Sequence, residues 1–139
     1  MDYRAPVPDA PLLVVSTQVV ALDRATGRQL WRYDLDAVGR RFAIDQNRIF
    51  VFESEGRLHC IDVATGRALG VVVTELRSAN NMLVDGDRIY LSDDNFVVAV
   101  DMNGRILWRE KVPNNTSHSL CGLGVPGGNV VQPDFSRAG

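Results

Sequence analysis

Residues 21–31 read ALDRATGRQLW, and the same plan returns as CIDVATGRALG at 60–70 and AVDMNGRILW at 99–108. The aspartates of the three copies, Asp23, Asp62 and Asp101, stand at equal intervals of 39 residues. A fixed period of this size marks a repeat architecture. Each copy places an apolar run before the aspartate and a short turn ending in Gly-Arg after it, then leucine and, twice, tryptophan. An apolar run, a glycine turn and a second apolar run make a β-hairpin. The aspartate carboxylate is expected to accept backbone N–H bonds within the turn, while Gly27, Gly66 and Gly104 supply the positive φ of the reversal.

Outward from the hairpins, the chain reads as short strands. Leu12–Val15 and Val19–Leu22 precede the first turn, and Leu30–Leu35 follows it. Arg41–Ile44, Arg48–Phe52 and Leu58–Ile61 build the second unit. Met82–Val84, Arg88–Leu91 and Phe96–Val100 build the third. Asp45 and Asp85 each stand four residues before an isoleucine, and Asp9 four before Leu13. This spacing predicts a degraded opening strand among Pro6, Pro8 and Pro11. Each unit is therefore expected to hold four antiparallel strands rich in β-branched and aromatic residues. No stretch carries a 3.6-residue period, so no helix is expected. Repeats are placed at about 9–40, 41–78 and 79–117, with a partial one at 118–139 opened by strands at 119–125 and 129–132. The fold class is all-β: four-stranded propeller-type blades, about three plus a part.

Composition sets the outer bounds. With 139 residues, 45% of them hydrophobic, the chain suits one domain with a core, and a net charge of −2 gives no reason to expect nucleic acid. No apolar run approaches the roughly 18 residues of a membrane span. The N-terminus has no leader pattern, so a cytoplasmic chain is expected, although a mature secreted or periplasmic form reads the same. Two cysteines, Cys60 and Cys121, make no disulfide framework; Cys60 shares a column with Ala21 and Ala99 and is expected to be a small buried residue.

The pattern Ala-x-Asp-x-x-Thr-Gly-x-x-x-Trp resembles the pyrroloquinoline-quinone-type (PQQ-like) β-propeller repeat, whose blades use it as a tryptophan-docking motif. Asp23, Thr26, Gly27 and Trp31 match in full. Asp62, Thr65 and Gly66 match, with Gly70 at the tryptophan column. Asp101, Gly104 and Trp108 match with one turn residue deleted. The resemblance implies that Trp31 and Trp108 pack between blades as core, and that Gly70 marks a weaker or differently filled seam. Quinoprotein dehydrogenases with such blades need a far longer chain, a bound calcium and a catalytic aspartate. Here every such aspartate, including Asp93 and Asp94, is accounted for by a turn. No catalytic residue, cofactor or metal site is assigned.

Other signals read as structure. GLGVPG at 122–127 satisfies a dinucleotide-binding spacing, but Pro126 interrupts it and no helix follows, so it is a loop. His59 lies in the column of Val20 and Val98 and is expected to be packed or at a rim, with no second ligand at metal spacing. His118 beside Ser119, the Asn114–Thr116 sequon, and Arg28, Arg67 and Arg105 after the turns carry no assigned chemistry. The expected function is a non-catalytic interaction or assembly module that completes a ring or array with copies of itself or another protein. The alternatives are a segment of a larger quinoprotein-like enzyme or sensor, and a propeller that binds a small ligand or glycan.

Overall fold

The computed structural model describes residues 5–112 and 122–131. Thirteen strands follow in chain order: β1 (Leu12–Val15), β2 (Gln18–Leu22), β3 (Gln29–Asp34), β4 (Gly39–Asp45), β5 (Arg48–Glu53), β6 (Arg57–Asp62), β7 (Ala68–Val73), β8 (Asn81–Asp85), β9 (Arg88–Ser92), β10 (Phe96–Asp101), β11 (Ile106–Lys111), β12 (Leu123–Gly124) and β13 (Val130–Val131). They form antiparallel meanders: β1-β2-β3, β4-β5-β6-β7, β8-β9-β10-β11 and the small β12-β13 hairpin. The described residues contain no helix, hence none long and apolar enough to cross a membrane.

The first unit departs from expectation: its sheet has three strands, not four, among the described residues. Pro8 and Asp9 instead form a tight turn closed by Ala10 N–H to the Val7 carbonyl, with Asp9 at φ 63°. Proline followed by a positive-φ residue suits such a turn, and a ring without an N–H cannot carry a central ladder. The expected fourth unit is seen only as β12 and β13, which lie against β8; the hairpin is closed by Val125 N–H to the Asn129 carbonyl. GLGVPG is thus a strand and turn, with no helix. His118, Ser119, Cys121 and the Asn114–Thr116 sequon lie outside the described residues, as do 119–121 and 132 of the expected tail strands.

Each meander presents two faces, and side-chain alternation sorts residues between them. β5 is apolar almost throughout because both its faces are covered. Ile49 and Val51 pack with Val19 against the first sheet, whereas Phe50 and Phe52 pack with Ile89, Leu91, Val98 and Val100 against the third. β1 has one covered face: Leu13 and Val15 join the core, while Leu12 and Val14, in the columns of Ile49 and Val51, are exposed. The sheets therefore stack face to face, as blades do. Polar stitches hold the second seam: Arg41 donates to the Asn80 carbonyl (2.9 Å) and Arg109 to the Thr74 carbonyl (3.2 Å).

Candidate functional site

The three hairpin turns share one construction. In each, the aspartate's own N–H and carbonyl close the turn: Asp23, Asp62 and Asp101 accept from the N–H of Gly27, Gly66 and Gly104 (2.8, 2.8 and 3.1 Å). The Asp23 carboxylate accepts from Ala25 and Thr26 N–H (2.7 and 3.3 Å), and that of Asp101 from Asn103 and Arg105 N–H (both 2.9 Å). In the second copy the acceptor role turns to a side chain, with the Thr65 hydroxyl donating to Asp62 at 2.6 Å. Thr26 and Thr65 hydroxyls accept from Arg28 and Arg67 N–H in turn. All three arginines after the glycine are exposed. The strand register shifts at the same column in every copy, between Ala21/Leu22, Cys60/Ile61 and Ala99/Val100.

These turns are sockets, and the first tryptophan fills one. Trp31 reaches across to the second sheet, donates its indole N–H to the Val63 carbonyl at 2.8 Å and lies over Gly66. The approach is so close that a Cβ on Gly66 would stand 2.5 Å from Trp31 Cδ2. The next seam has no such knob. Gly70 occupies the tryptophan column opposite Cys60, and a Cβ there would meet nothing within 4 Å. A cavity of about 290 Å³ results, lined by Arg48, Phe50, Cys60, Gly70, Met102 and Gly104 among others. Cys60 is consequently half-buried instead of buried, because the ring that would cover it is missing; burial still pushes its thiol pKa up. Trp108 also departs from the expected inter-blade core. It flanks buried Ala99 together with Tyr90 (ring centroids 6.1 Å apart) but remains 38% exposed. Among the described residues no turn motif follows it for the indole to sit on.

A second constellation escaped the sequence. His59, 2% exposed, points from β6 toward the first sheet, where its Nδ1 meets the Tyr33 hydroxyl at 2.9 Å. Among the described residues its Nε2 has no hydrogen-bond partner, and it lies 3.6 Å from the fully buried Glu53 carboxylate. Glu53 also accepts from the N–H of Glu55 and Arg57 (3.0 and 3.3 Å), so it caps the turn after β5. With Asp36, one ligand atom each of Glu53 and His59 fall within 4.8 Å of one another, a donor set that suits a divalent metal. The Arg57 guanidinium, however, stands 3.5 Å from Glu53 and 3.9 Å from Asp36, already supplying the positive charge. A metal ion must displace it, so the residues fit an ion pair better than a metal centre. Glu53 could have been suspected as a carboxylate ending an otherwise apolar strand. Tyr33 arrives from β3 and Asp36 from the connection after it, and no spacing announces them.

Desolvation lowers the His59 pKa, against the opposing pull of Glu53 and Asp36, while Arg57 adds to the lowering. The folded state then binds fewer protons than the unfolded chain below the unperturbed value of about 6.5. Stability from this group is accordingly full above that pH and falls as the pH drops through it toward the folded value. His59→Val, the residue type of its column in the other copies, is expected to flatten the fall in melting temperature as the pH drops below about 6.5. An unchanged slope in the variant would assign the acid sensitivity elsewhere.

Stacked antiparallel meanders whose tryptophan docks on the neighbouring turn define the blades of a β-propeller. Residues 15–132 match the family model described as "Outer membrane protein assembly factor BamB", and the chain belongs to this PQQ-like propeller repeat family. It is 35% identical over 65 residues to the quinohemoprotein alcohol dehydrogenase ADH IIB of Pseudomonas putida, covering 38% of this chain and 9% of that protein. It is 26% identical over 92 residues to BamB of Kangiella koreensis, covering 66% of this chain and 22% of that one. Among solved structures, BamB from Moraxella catarrhalis superposes with a TM-score of 0.59 at 21% identity, over 72% of this chain and 33% of that one. A europium-containing methanol dehydrogenase superposes at 0.61 with 21% identity, over 73% and 23%. Such identities establish the propeller fold alone. The chain spans less than a quarter of the length of these curated relatives.

Proposed function

We propose that this chain is a non-catalytic interaction module that associates through its blade faces, with Trp108 of one copy seated on the Asp23–Gly27 turn of the next. One observation carries the reading: among the described residues, Trp108 is an unseated knob in the last full sheet and the Asp23–Gly27 turn an unfilled socket in the first. Trp31 shows what the filled pair looks like, with its indole on Gly66 and bonded to Val63. Trp108 is 38% exposed, and among the described residues a Cβ added at Gly27 would meet nothing within 4 Å, although Gly27 and Gly66 share a φ of 75°. Beside the socket, Leu12 and Val14 expose the apolar columns that Ile49 and Val51 bury in the next sheet. An unfilled apolar face of this kind favours a protein partner.

Knob and socket on opposite ends give a head-to-tail contact, which closes into a ring when the rotation allows. Two copies joined twice would bring about six or seven blades together, within the range of closed propellers. The match to an assembly factor is in keeping with a role through protein contacts. The dehydrogenase relatives favour the other reading, in which the same faces meet further blades of one long chain.

Light scattering decides between them for this chain. The wild type is expected to run as an oligomer whose mass falls on dilution. Trp108→Ala is expected to give monomer, with a melting temperature lowered by the lost packing on Tyr90 and Ala99 and by the lost association. A wild-type monomer at high concentration, or a variant that assembles as well as the wild type, overturns the proposal.

A further inference from the structure

We infer that the cavity at Gly70 is a binding site for a small planar heteroaromatic carrying one N–H donor, of which indole is the simplest. The repeat supplies the argument. In the first seam an indole already occupies the corresponding place: it covers Ala21, lies over Gly66 and donates its N–H to the Val63 carbonyl. In the second seam the equivalents are Cys60 and Met102, 39 residues on, and Gly104, 38 on because its turn is one residue shorter, and all three line the cavity. Only the ring is lacking. Gly104, at φ 86°, would meet only the Val72 side chain at 3.4 Å if it had a Cβ, so the floor on which an indole lies in the first seam is open in the second.

Size and lining agree with such an occupant. The volume of about 290 Å³ exceeds the roughly 150 Å³ of an engineered apolar cavity that takes benzene. Phe50, Leu58, Ile89 and Val100 form an apolar wall that cannot be rearranged cheaply, since Phe50, Ile89 and Val100 also close the core. Arg48, whose guanidinium lies 5.3 Å from the Phe50 ring centroid, borders the same space and favours a second π face over an aliphatic one. The cavity lies within one chain, so its occupancy is independent of any assembly.

Cys60 provides a reporter inside the site. In a Cys121→Ser background, saturating indole is expected to slow alkylation of Cys60 several-fold and to raise the melting temperature dose-dependently, as any ligand of the native state must. Indene, with the same outline and no N–H, is expected to protect less. Gly70→Trp, free of steric conflict at its Cβ, is expected to protect Cys60 without ligand and to abolish the response to indole. The milder Gly70→Leu serves if the tryptophan variant fails to fold, and is expected to weaken binding by occluding the site. Indole that leaves both Cys60 reactivity and melting temperature unchanged overturns the inference. So does an indole response of equal size in the filled variants, which would place the ligand elsewhere.

Discussion

Trp31→Ala is expected to destabilise the fold by about 3–5 kcal/mol, the usual range for loss of a packed tryptophan. Three contributions vanish together: the apolar packing against the cluster of Val19, Ile49, Val51 and Ile61, the indole bond to the Val63 carbonyl, and the cover over Gly66. The last gives an internal control. Gly27 and Gly66 both sit at φ 75°, so alanine at either costs about 1–2 kcal/mol of left-handed strain. At Gly27 that is the whole cost, because its Cβ would meet nothing within 4 Å. At Gly66 the new methyl would lie 2.5 Å from Cδ2 and 2.7 Å from Cε3 of Trp31, and the indole must lift off its turn. Gly66→Ala is therefore expected to cost clearly more than Gly27→Ala in urea melts. Combined with Trp31→Ala, the excess is expected to disappear, since residues in contact are non-additive. Equal costs at the two glycines, or an excess that persists without the indole, would show that tryptophan docking contributes little to the seam.

The same pair marks how far the sequence could be read. Aspartate, glycine and tryptophan at a repeated spacing locate the hairpins, because each turn is local: its hydrogen bonds run between residues at most five apart. Gly70 in the tryptophan column points to a weak seam for the same reason. What the motif does not contain is the partner. Trp108 carries the same local signature as Trp31 yet stays partly exposed, because docking needs a socket on the following sheet. Cys60 shares a column with two buried alanines, and only the residue opposite it, Gly70, decides its exposure. The His59 cluster is further out of reach. Its members come from β6, the end of β5 and the connection after β3, so they meet through sheet stacking, which no single-strand pattern records. That the first sheet has three strands among the described residues was partly visible in its prolines, but the spacing of Asp9 suggested a strand where Pro8 and Asp9 make a turn.

Gly56→Ala is expected to be still more damaging, at about 3–6 kcal/mol, because strain and loss of a packed strap add together. Gly56 sits at φ 88° in the turn between β5 and β6, and a Cβ there would stand 2.1 Å from the Leu76 carbonyl oxygen and 3.0 Å from its carbon. Backbone cannot step aside as a flexible side chain can. The strap it would push is the link from the second sheet to the third. Thr74 donates both its hydroxyl and its N–H to the Gly56 carbonyl, and its hydroxyl accepts from Leu76 N–H. Leu76 is buried among Phe50, Phe52, Met82 and Leu91, and Arg77 N–H bonds to the Asp93 carboxylate at 3.1 Å. Moving the strap therefore opens the core between the two sheets and unpairs buried polar groups at once. Gly86→Ala is the matched control: φ is 60°, nothing lies within 4 Å of the added methyl, and only the strain of about 1–2 kcal/mol is expected. Hydrogen exchange at Leu76 and Arg77 reads the mechanism directly. Both amides are expected to lose protection in Gly56→Ala and keep it in Gly86→Ala, whereas equal stability and equal protection in the two variants would mean that the close approach at Gly56 is not what fixes the strap.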